Sequence, residues 1–440
     1  MLPAFPLEKL KNKRIAILGL GLENAGLLKW LDTKKARLKI TICDRRPKNL
    51  LPPLKIKNLS ISWQTGSAYN KGLGRFDILF RSPGWPLRDP ALKKARRAGK
   101  EITSPLNLFC ALTPTKNIIG VTGTKGKGTT ATLIYKIIKA AKRRVFLGGN
   151  IGIAPFSFFS KIKPTDYIVL ELSSFQLEDL KFSPTIAVIT NLFNEHLAAA
   201  DPNNPNYHST AGAYWQAKLN IARNPGNRDL IVNQKLKKKL STAKLKGRVS
   251  YFQASCLPSR LAGNYNRANI AAAVAVAKLL NIPAAIYRPI IAKFGNLEHR
   301  LELVAKKGGV TYYDNSFATT PESSALDLES FSRPVVLIAG GADKGAHFLP
   351  FAKLIKTRIK HLILLPGGGT IRLKKELRRL KFPASQTSEV KDMAVAVTSA
   401  RSQANRGDII LLSTGCASFG LFKNYKERGR LFKKYVRAKK

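Results

Sequence analysis

The chain has 440 residues, enough for about two to four domains, and its apolar content of 44% excludes an intrinsically disordered protein. Its 76 Lys and Arg residues outnumber 26 Asp and Glu residues, for a formal net charge of +50. That charge is compatible with a nucleic-acid-binding protein or with a generally basic protein. Because the basic residues are spread along the whole chain and no nucleic-acid-binding module is recognisable, we favour the second interpretation and expect no specific nucleic-acid partner.

The apolar and cysteine patterns point to a cytoplasmic protein. The first nine residues lack the long apolar run of a signal peptide. The best apolar run, residues 270–282, is short and contains Lys278, so we expect no membrane insertion. The four scattered cysteines are interpreted as buried thiols in a reducing compartment (Cys43, Cys110, Cys256 and Cys416).

The first segment has the outline of a nucleotide-binding βαβ unit. A strand from Arg14 leads into the turn 19–21, a helix follows, and a second strand ends at Asp44. The third glycine of the usual G-x-G-x-x-G motif is replaced by Asn24, so a plain βα turn stays open as an alternative. A further strand, 77–80, runs into a turn at 81–84.

A phosphate-binding loop is predicted in the second segment. A short apolar strand, 118–121, is followed by the glycine-rich loop 123–128 and by a helical pattern over 129–141. Backbone N–H groups and a helix N-terminus attract phosphate there, and Lys127 can reach the outer phosphates of a nucleotide. The residue after this lysine is Gly128 rather than Ser or Thr.

Candidate metal ligands follow two apolar strands. Glu171 ends the strand 167–171, and His196 lies shortly after the strand 185–190. A lone histidine is more often structural, but parallel strands would bring these two side chains to one sheet edge near Lys127, which favours a magnesium site. In the third segment, repeated strand–loop–helix patterns predict a doubly wound α/β domain.

The order of these motifs resembles one family, the Mur ligases, over essentially the whole chain. The runs 171–178 and 416–424 resemble its D-glutamate-adding members most closely. The motifs that carry the resemblance are Ser82-Pro-Gly84, Thr122 to Lys127, Gly149-Asn-Ile-Gly152, Glu171 to Glu178, Asn194-Glu-His196, Gln216-Ala-Lys218, His299-Arg300, Ser316 with Ala318-Thr319, Gly340-Gly341 with Asp343-Lys344, and Cys416-Ala-Ser418 with Phe422-Lys-Asn424.

The resemblance implies a three-domain α/β fold and a monomer. Residues 1–112 would form a Rossmann-like domain for a UDP-linked substrate, 113–297 a central P-loop ATPase domain with a mainly parallel sheet, and 298–440 a Rossmann-like domain for the amino acid. The implied reaction is ATP-dependent amide formation between UDP-N-acetylmuramoyl-L-alanine and D-glutamate, through an acyl phosphate and with Mg²⁺, in cytoplasmic peptidoglycan precursor synthesis.

The resemblance also implies roles for individual residues. The catalytic set is Lys127, His196, Lys218 and Asn150. ATP would be bound by Gly123, Thr124, Lys125, Gly126, Lys127, Gly128, Thr129 and Thr130, with Asn266, Asn269, Arg300 and Asn315. Magnesium would be held by Thr129, Glu171, His196 and, if it is carbamylated, Lys218. The uridine diphosphate would lie on Gly19, Gly21, Asp44, Arg45 and Ser82, and the amino acid on Thr319, Lys344, Ser418 and Tyr425.

Several positions depart from the family pattern. Gly128 resembles the folylpolyglutamate synthases, which are the alternative assignment along with other Mur-type ligases. Asn315 replaces an acid expected to help hold the ATP ribose, and Phe317 replaces a lysine. Ala198 stands where an acid is expected after His196. A basic nucleic-acid-binding protein is the third and least favoured hypothesis.

Overall fold

The computed structural model of the protein describes residues 7–35, 38–193, 206–241, 243–343 and 345–438. His196, Ala198 and Lys344 lie outside the described residues. The chain forms two compact units, residues 1–256 with 268–291, and residues 257–267 with 292–440. The first unit contains two of the three sheets, and the second unit contains the third.

The first sheet has five parallel strands in the order β3-β2-β1-β4-β5. Its core is built from continuous apolar strands, as expected for a parallel sheet covered on both faces. The strand order reverses between β1 and β4, which is where ligands bind in open α/β sheets. The elements are β1 (Ile15–Leu18), α1 (Leu22–Thr33), β2 (Lys39–Asp44), β3 (Ser60–Thr65), β4 (Ile78–Arg81), α2 (Pro90–Arg97), β5 (Glu101–Thr103) and α3 (Pro105–Leu112).

The second sheet has six parallel strands in the order β11-β10-β9-β6-β8-β7. Strand β6, which precedes the phosphate loop, lies between β9 and β8, so the ends of these three strands share one edge. The elements are β6 (Ile118–Thr122), α4 (Lys127–Ala140), β7 (Val145–Gly149), β8 (Tyr167–Glu171), α5 (Ser174–Leu177), β9 (Ile186–Ile189), α6 (Ala211–Leu219), β10 (Asp229–Asn233), α7 (Lys237–Leu240), β11 (Arg248–Phe252), α8 (Asn266–Leu279) and α9 (Ala284–Lys293).

The third sheet has the order β12-β13-β17-β14-β15-β16 and is parallel except for the pair β12–β13. Apolar residues from both faces of its central strands form two core clusters with the surrounding helices. The elements are β12 (Glu302–Lys307), β13 (Val310–Asp314), α10 (Pro321–Leu328), β14 (Val335–Gly340), α11 (Leu349–Arg358), β15 (Ile359–Leu365), α12 (Gly368–Arg379), β16 (Thr387–Glu389), α13 (Met393–Gln403), β17 (Ile409–Leu412) and α14 (Tyr425–Arg437).

The predicted fold class is confirmed, because the chain is α/β with three mainly parallel sheets. The boundaries predicted for three domains stay a prediction. The prediction that all four cysteines are buried is wrong for two of them: Cys110, on α3, is half-buried, and Cys256, in the segment after β11, is exposed. Within the described ranges, no helix is both long and apolar enough to cross a membrane.

Candidate active site

The loop between β6 and α4 requires glycine at two positions. Gly126 caps α4 with φ at 78°, and Gly123 has φ at 148°, both in the region that disfavours side chains. A Cβ added to Gly126 would lie 2.0 Å from Asn269 Oδ1. A Cβ added to Gly123 would lie 2.0 Å from Thr190 Oγ1. The two glycines therefore allow the close approach of neighbouring side chains and leave backbone N–H groups at the helix N-terminus for an anion.

Residues that follow β9 stabilise this loop, and none of them was among the predicted site residues. Asn191 Oδ1 accepts hydrogen bonds from the backbone N–H of Thr124 at 3.1 Å and of Lys125 at 2.8 Å. Thr190 Oγ1 donates to Lys125 O at 2.7 Å. Tyr214 in α6 lies 2.9 Å from Thr124 through the two hydroxyl oxygens. The only sequence signal was the run of polar residues at the end of an apolar strand.

The predicted phosphate and magnesium residues of the loop lie in the first turn of α4. Lys127 Nζ donates to Thr124 O at 3.0 Å, so its ammonium group is folded over the loop. Gly128, Thr129 and Thr130 are buried behind it. Thr130 Oγ1 is buried with no hydrogen-bond partner among the residues that the structure describes.

Glu171 lies at the carboxyl end of β8 beside Val121 of β6, as the sequence predicted. Its side chain is buried, and Asn150 Nδ2 donates to Oε1 at 2.8 Å. The second oxygen, Oε2, has no hydrogen-bond partner within the described ranges. A buried carboxylate oxygen without a partner is energetically costly, and a divalent cation with oxygen ligands would satisfy it.

Lys218 reaches the same loop from α6. Its side chain is buried, and Nζ donates to Gly123 O at 2.8 Å and lies 4.8 Å from the centroid of the Tyr214 ring. Lys127, Glu171 and Lys218 therefore converge around the end of β6, as predicted. His196, the remaining predicted ligand, lies outside the described residues.

These residues fit a magnesium ion. Within the described ranges, Glu171 offers a buried carboxylate oxygen without a hydrogen-bond partner, at the strand end beside the strand that leads into the phosphate-type loop. Hard oxygen ligands of this kind suit Mg²⁺, which retains several waters and is shared with nucleotide phosphates.

The predicted uridine-diphosphate residues meet at the switch point of the first sheet. Ser82 Oγ lies 2.4 Å from where a Cβ on Gly19 would stand, so the turns after β1 and β4 touch. Asp44 Oδ2 accepts from Leu20 N at 2.7 Å, and Arg46 pairs with both Asp44 oxygens. Burial alone would raise the pKa of Asp44, but the hydrogen bonds from Arg46 and Leu20 outweigh it and hold the pKa below its ordinary value.

Two further residues predicted to contact the uridine diphosphate, Gly21 and Arg45, lie at the same edge of the sheet. Gly21 is the N-cap of α1, in the position predicted for a nucleotide-binding turn. Arg45 is exposed at the same edge, and Arg46 instead forms the ion pair with Asp44. The predicted contact of Arg45 with the uridine diphosphate stays a prediction.

The predicted ATP-binding asparagines both lie in the first turn of α8. Asn266 and Asn269 are buried, and Asn269 is the side chain that approaches Gly126 of the phosphate loop. Asn266 Nδ2 donates to Ala262 O at 2.5 Å. Asn269 therefore lies next to the phosphate loop, as the prediction requires.

In the second unit, Thr319 and Ser418 lie on loops that follow the neighbouring strands β13 and β17, and Tyr425 begins α14. Ser418 is buried after β17, and Thr319 and Tyr425 are half-buried. Arg428 of α14 links these loops, because its guanidinium donates to Ser316 Oγ, Ser316 O and Cys416 O at 2.8–3.1 Å. Burial lowers the pKa of Arg428 to about 10.

The departures from the family pattern have partners in this unit. Asn315 Nδ2 donates to the buried carboxylate of Asp327 at 2.5 Å, so an amide at 315 complements an acid that lies nearby. The guanidinium of Arg300 lies 3.7 Å from the centroid of the Phe317 ring, and Phe317 packs edge-on against Tyr425. Phe317 therefore supports Arg300 by a cation–π contact.

Another cluster in this unit, His299, Glu302 and Asp314, has ligand atoms close enough for a metal ion. His299 Nδ1 lies 2.7 Å from Asp314 Oδ2, and its backbone N–H donates to Glu302. Lys433 Nζ lies 3.1 Å from Glu302 Oε2. An ammonium group therefore already neutralises this cluster, and a structural role accounts for it.

Three family models match the chain. The Mur ligase MurD-like N-terminal domain matches residues 13–104, the Mur ligase middle domain 121–255, and the Mur ligase glutamate ligase domain 299–416. The chain belongs to the Mur ligase family. Among curated Mur ligases, it is 35% identical to the UDP-N-acetylmuramoylalanine–D-glutamate ligase of Symbiobacterium thermophilum, over 97% of this chain and 98% of that protein. It is 33% identical to the ligase of the same name from Clostridium kluyveri, over 97% of each.

Solved structures of a Mur ligase and of a folylpolyglutamate synthase share the fold. The UDP-N-acetylmuramate-alanine ligase of Thermotoga maritima superposes with a TM-score of 0.59 at 16% identity, over 97% of this chain and 99% of that chain. A bifunctional folylpolyglutamate synthase/dihydrofolate synthase from Yersinia pestis superposes with a TM-score of 0.52 at 15% identity, over 72% of this chain and 88% of that chain. At these identities the similarity concerns the fold alone.

Proposed function

We propose that this chain is an ATP-dependent ligase that joins D-glutamate to UDP-N-acetylmuramoyl-L-alanine in the cytoplasm. The observation that carries the proposal is the convergence of Lys127, Glu171 and Lys218 at the end of β6, in a chain whose D-glutamate ligase relatives match nearly its whole length. We infer the substrates of this chain from those in the names of these relatives, because the similarity extends over nearly the full length. The monomeric state and the residue roles stay predictions.

The chemistry requires activation of a carboxylate, because an oxide is a poor leaving group. An oxygen of the L-alanyl carboxylate attacks the γ-phosphorus of ATP, ADP leaves, and an acyl phosphate forms. The amine of D-glutamate then attacks the acyl carbon, loses a proton, and expels inorganic phosphate as the amide forms. Positioning and charge neutralisation carry most of the catalysis in such a transfer.

The phosphate loop supplies positive charge to the transferred group. The backbone N–H groups at the start of α4 and the ammonium of Lys127 would contact the β- and γ-phosphates. Asn269, next to Gly126, would contact the same nucleotide. Because Asn191 braces the backbone of the loop, these donors are held in place before the nucleotide binds.

Glu171, with His196 and a carbamylated Lys218, would hold magnesium, which when bound neutralises charge on the transferred phosphoryl group. Asn150 holds one Glu171 oxygen and leaves the other directed away from that hydrogen bond. Lys218 lies within hydrogen-bond distance of the loop carbonyl of Gly123, so its modified head would remain next to the phosphates.

Phosphate release by the purified protein tests the proposal. With ATP, Mg²⁺ and UDP-N-acetylmuramoyl-L-alanine, release should depend on D-glutamate and not on L-glutamate or other amino acids. Gly128 motivates the alternative, a folylpolyglutamate synthase-type activity, so one arm replaces the UDP sugar with a reduced pterin and supplies L-glutamate. Phosphate release only in the pterin arm would favour the alternative.

A further inference from the structure

Arg81, the last residue of β4, is a buried hub that reaches from the first sheet to the segment after β8. Its side chain is 1% exposed. Nε and Nη2 each donate to one carboxylate oxygen of Asp179 at 2.8 Å, and Nη2 also donates to Phe175 O at 2.7 Å. Nη1 donates to Trp85 O at 2.8 Å, within its own turn. Because two parallel hydrogen bonds join the guanidinium to the carboxylate, they fix both the position and the orientation of Asp179 relative to Arg81.

Residues 174–179, which follow β8, also contact His208, which precedes α6. Glu178 Oε2 lies 3.6 Å from Arg81 Nη1, and Glu178 Oε1 lies 3.3 Å from His208 Nδ1. His208 Nε2 lies 2.9 Å from Ser174 Oγ, and its ring stacks on Phe175 with the centroids 4.7 Å apart. These contacts join residues 174–179 and His208 into one network, in which Ser174, Phe175 and His208 are buried.

The turn after Arg81 also contacts residues 206–208, the segment that precedes α6. Asn206 Nδ2 donates to Pro83 O at 2.7 Å. The guanidinium of Arg88 lies 3.5 Å from the centroid of the Tyr207 ring and donates to Tyr207 O. Residues 81–88 thus contact two segments of the chain. Arg81 contacts residues 174–179, and Pro83 and Arg88 contact residues 206–208.

The two segments lead to the predicted metal ligands. Ser174 lies three residues after Glu171, and α6, which carries Lys218, begins three residues after His208. Ser82, predicted to contact the uridine diphosphate, lies inside the same turn and touches the Gly19 turn. The turn that contains Ser82 is therefore joined by side-chain contacts to two segments that continue along the chain to Glu171 and to Lys218.

We propose that Arg81 and Arg88 are positioning residues that couple the uridine-diphosphate turn to the segments bearing Glu171 and Lys218. We call these two arginines the clamp. The proposal rests on the proposed function, since it assigns Ser82 to the UDP substrate. Binding of that substrate and use of the metal are then linked, because both depend on the position of residues 81–88.

Kinetics of Arg81→Met, Arg81→Lys and Arg88→Leu test the clamp. Arg81→Met should raise the KM for UDP-N-acetylmuramoyl-L-alanine and the Mg²⁺ concentration for half-maximal rate about tenfold each, with the KM for D-glutamate within about twofold. Arg81→Lys keeps the charge but not the fork, so its effect should be smaller. If Arg81→Met does not fold, Arg81→Lys and Arg88→Leu carry the same test.

Arg14→Met is the matched control. Arg14 also pairs with an aspartate in a forked geometry, with Asp77, but at the opposite edge of the first sheet. It should leave both the UDP-substrate KM and the Mg²⁺ dependence unchanged. Clamp variants that lose thermal stability while all kinetic constants stay at wild-type values, or that raise all KM values together, would overturn the proposal.

Binding of UDP alone separates this inference from the proposed function. A wild-type protein without D-glutamate-dependent phosphate release would contradict the function and leave the clamp testable by calorimetry. UDP should bind to Arg81→Met about tenfold more weakly than to wild type and to Arg14→Met. Equal UDP affinity in all three proteins, or no measurable UDP affinity of the wild type, would contradict the clamp.

Discussion

Asn150 and Glu171 are joined by two hydrogen bonds. The side-chain amide of Asn150 donates to Glu171 Oε1, and its backbone N–H donates to Glu171 O, both at 2.8 Å. Asn150 follows β7 and Glu171 ends β8, so the pair ties two strand ends together at the edge of the sheet that carries the phosphate loop. The resemblance assigned Asn150 to the substrates, and the structure adds a contact through which it orients a predicted metal ligand.

Removal of this contact should weaken the use of magnesium. Asn150→Ala leaves the Glu171 carboxylate without its donor, and loss of such an outer contact typically costs about 10- to 100-fold in metal affinity or activity. Asn150→Asp should be worse, because it places a second carboxylate next to the first. Initial rates across a Mg²⁺ titration measure the effect. A wild-type Mg²⁺ dependence in both variants would contradict the role.

Alanine at Gly126 should damage the phosphate loop. A side chain there adopts a left-handed conformation that costs about 1–2 kcal/mol, and its Cβ displaces Asn269. We expect a KM for ATP raised about tenfold with a smaller change in the KM for D-glutamate. Gly74→Ala is the control, because nothing lies within 4 Å of a Cβ there. Equal ATP KM values in the two variants would contradict the account of the loop.

Lys218→Ala should lose most activity if the lysine acts as a carbamate. Short carboxylates such as formate or acetate should restore part of the rate, because they can occupy the space of the missing carboxylate-like head. Rate measurements at increasing carboxylate concentration test this, with Lys237→Ala, on a surface helix, as the control. A fully active Lys218→Ala protein would exclude the role.

The pH dependence of stability should reflect Glu23. Burial raises the pKa of this carboxyl from 4.5 to about 7, although the Gln176 hydrogen bond lowers it. Between these values the native state holds a proton that the unfolded chain releases, so the free energy of unfolding falls as pH rises, by up to about 3 kcal/mol. Glu23→Gln should reduce the change in urea midpoint between pH 4.5 and 7.5, and the remainder should include Glu178, whose pKa burial also raises to about 7. An unchanged slope would contradict a neutral buried Glu23.

Asn315→Asp should be destabilising even though it restores the residue typical of the family. It would place two buried carboxylates side by side, since the amide of Asn315 now donates to Asp327. We expect a loss of about 1–3 kcal/mol at neutral pH that diminishes in acid. The exchanged pair Asn315→Asp with Asp327→Asn should recover stability. Urea unfolding of the wild type, of Asn315→Asp and of the double variant measures the free energy of unfolding of each. A wild-type free energy of unfolding in Asn315→Asp would contradict the contact between Asn315 and Asp327.

Residues whose position follows from their own strand could be predicted from the sequence. Glu171 ends an apolar strand, and Lys127 begins a helix after a glycine loop, so both were placed at the correct edge. Asn191 could not be assigned, because its role is to accept N–H groups from a loop 66 residues earlier. Asp327, the partner of Asn315, lies twelve residues away on a helix that was not predicted.

The arginines show the same limit. Arg45 and Arg46 are adjacent, and only the hydrogen bonds of the folded chain reveal that Arg46 pairs with Asp44. The role of Arg81 depends on Asp179, 98 residues later and beside a different sheet. Local pattern therefore predicted strand ends and loop chemistry, whereas contacts between distant segments required the structure.

Mass spectrometry of the reaction product tests the central claim most directly. Purified protein is incubated with ATP, Mg²⁺, UDP-N-acetylmuramoyl-L-alanine and an equal mixture of D- and L-glutamate, one of them isotopically labelled. We predict a single new UDP-linked species that contains one D-glutamyl residue, formed with one inorganic phosphate per molecule. A product that contains L-glutamate, or phosphate release without a new amide, would contradict the assignment.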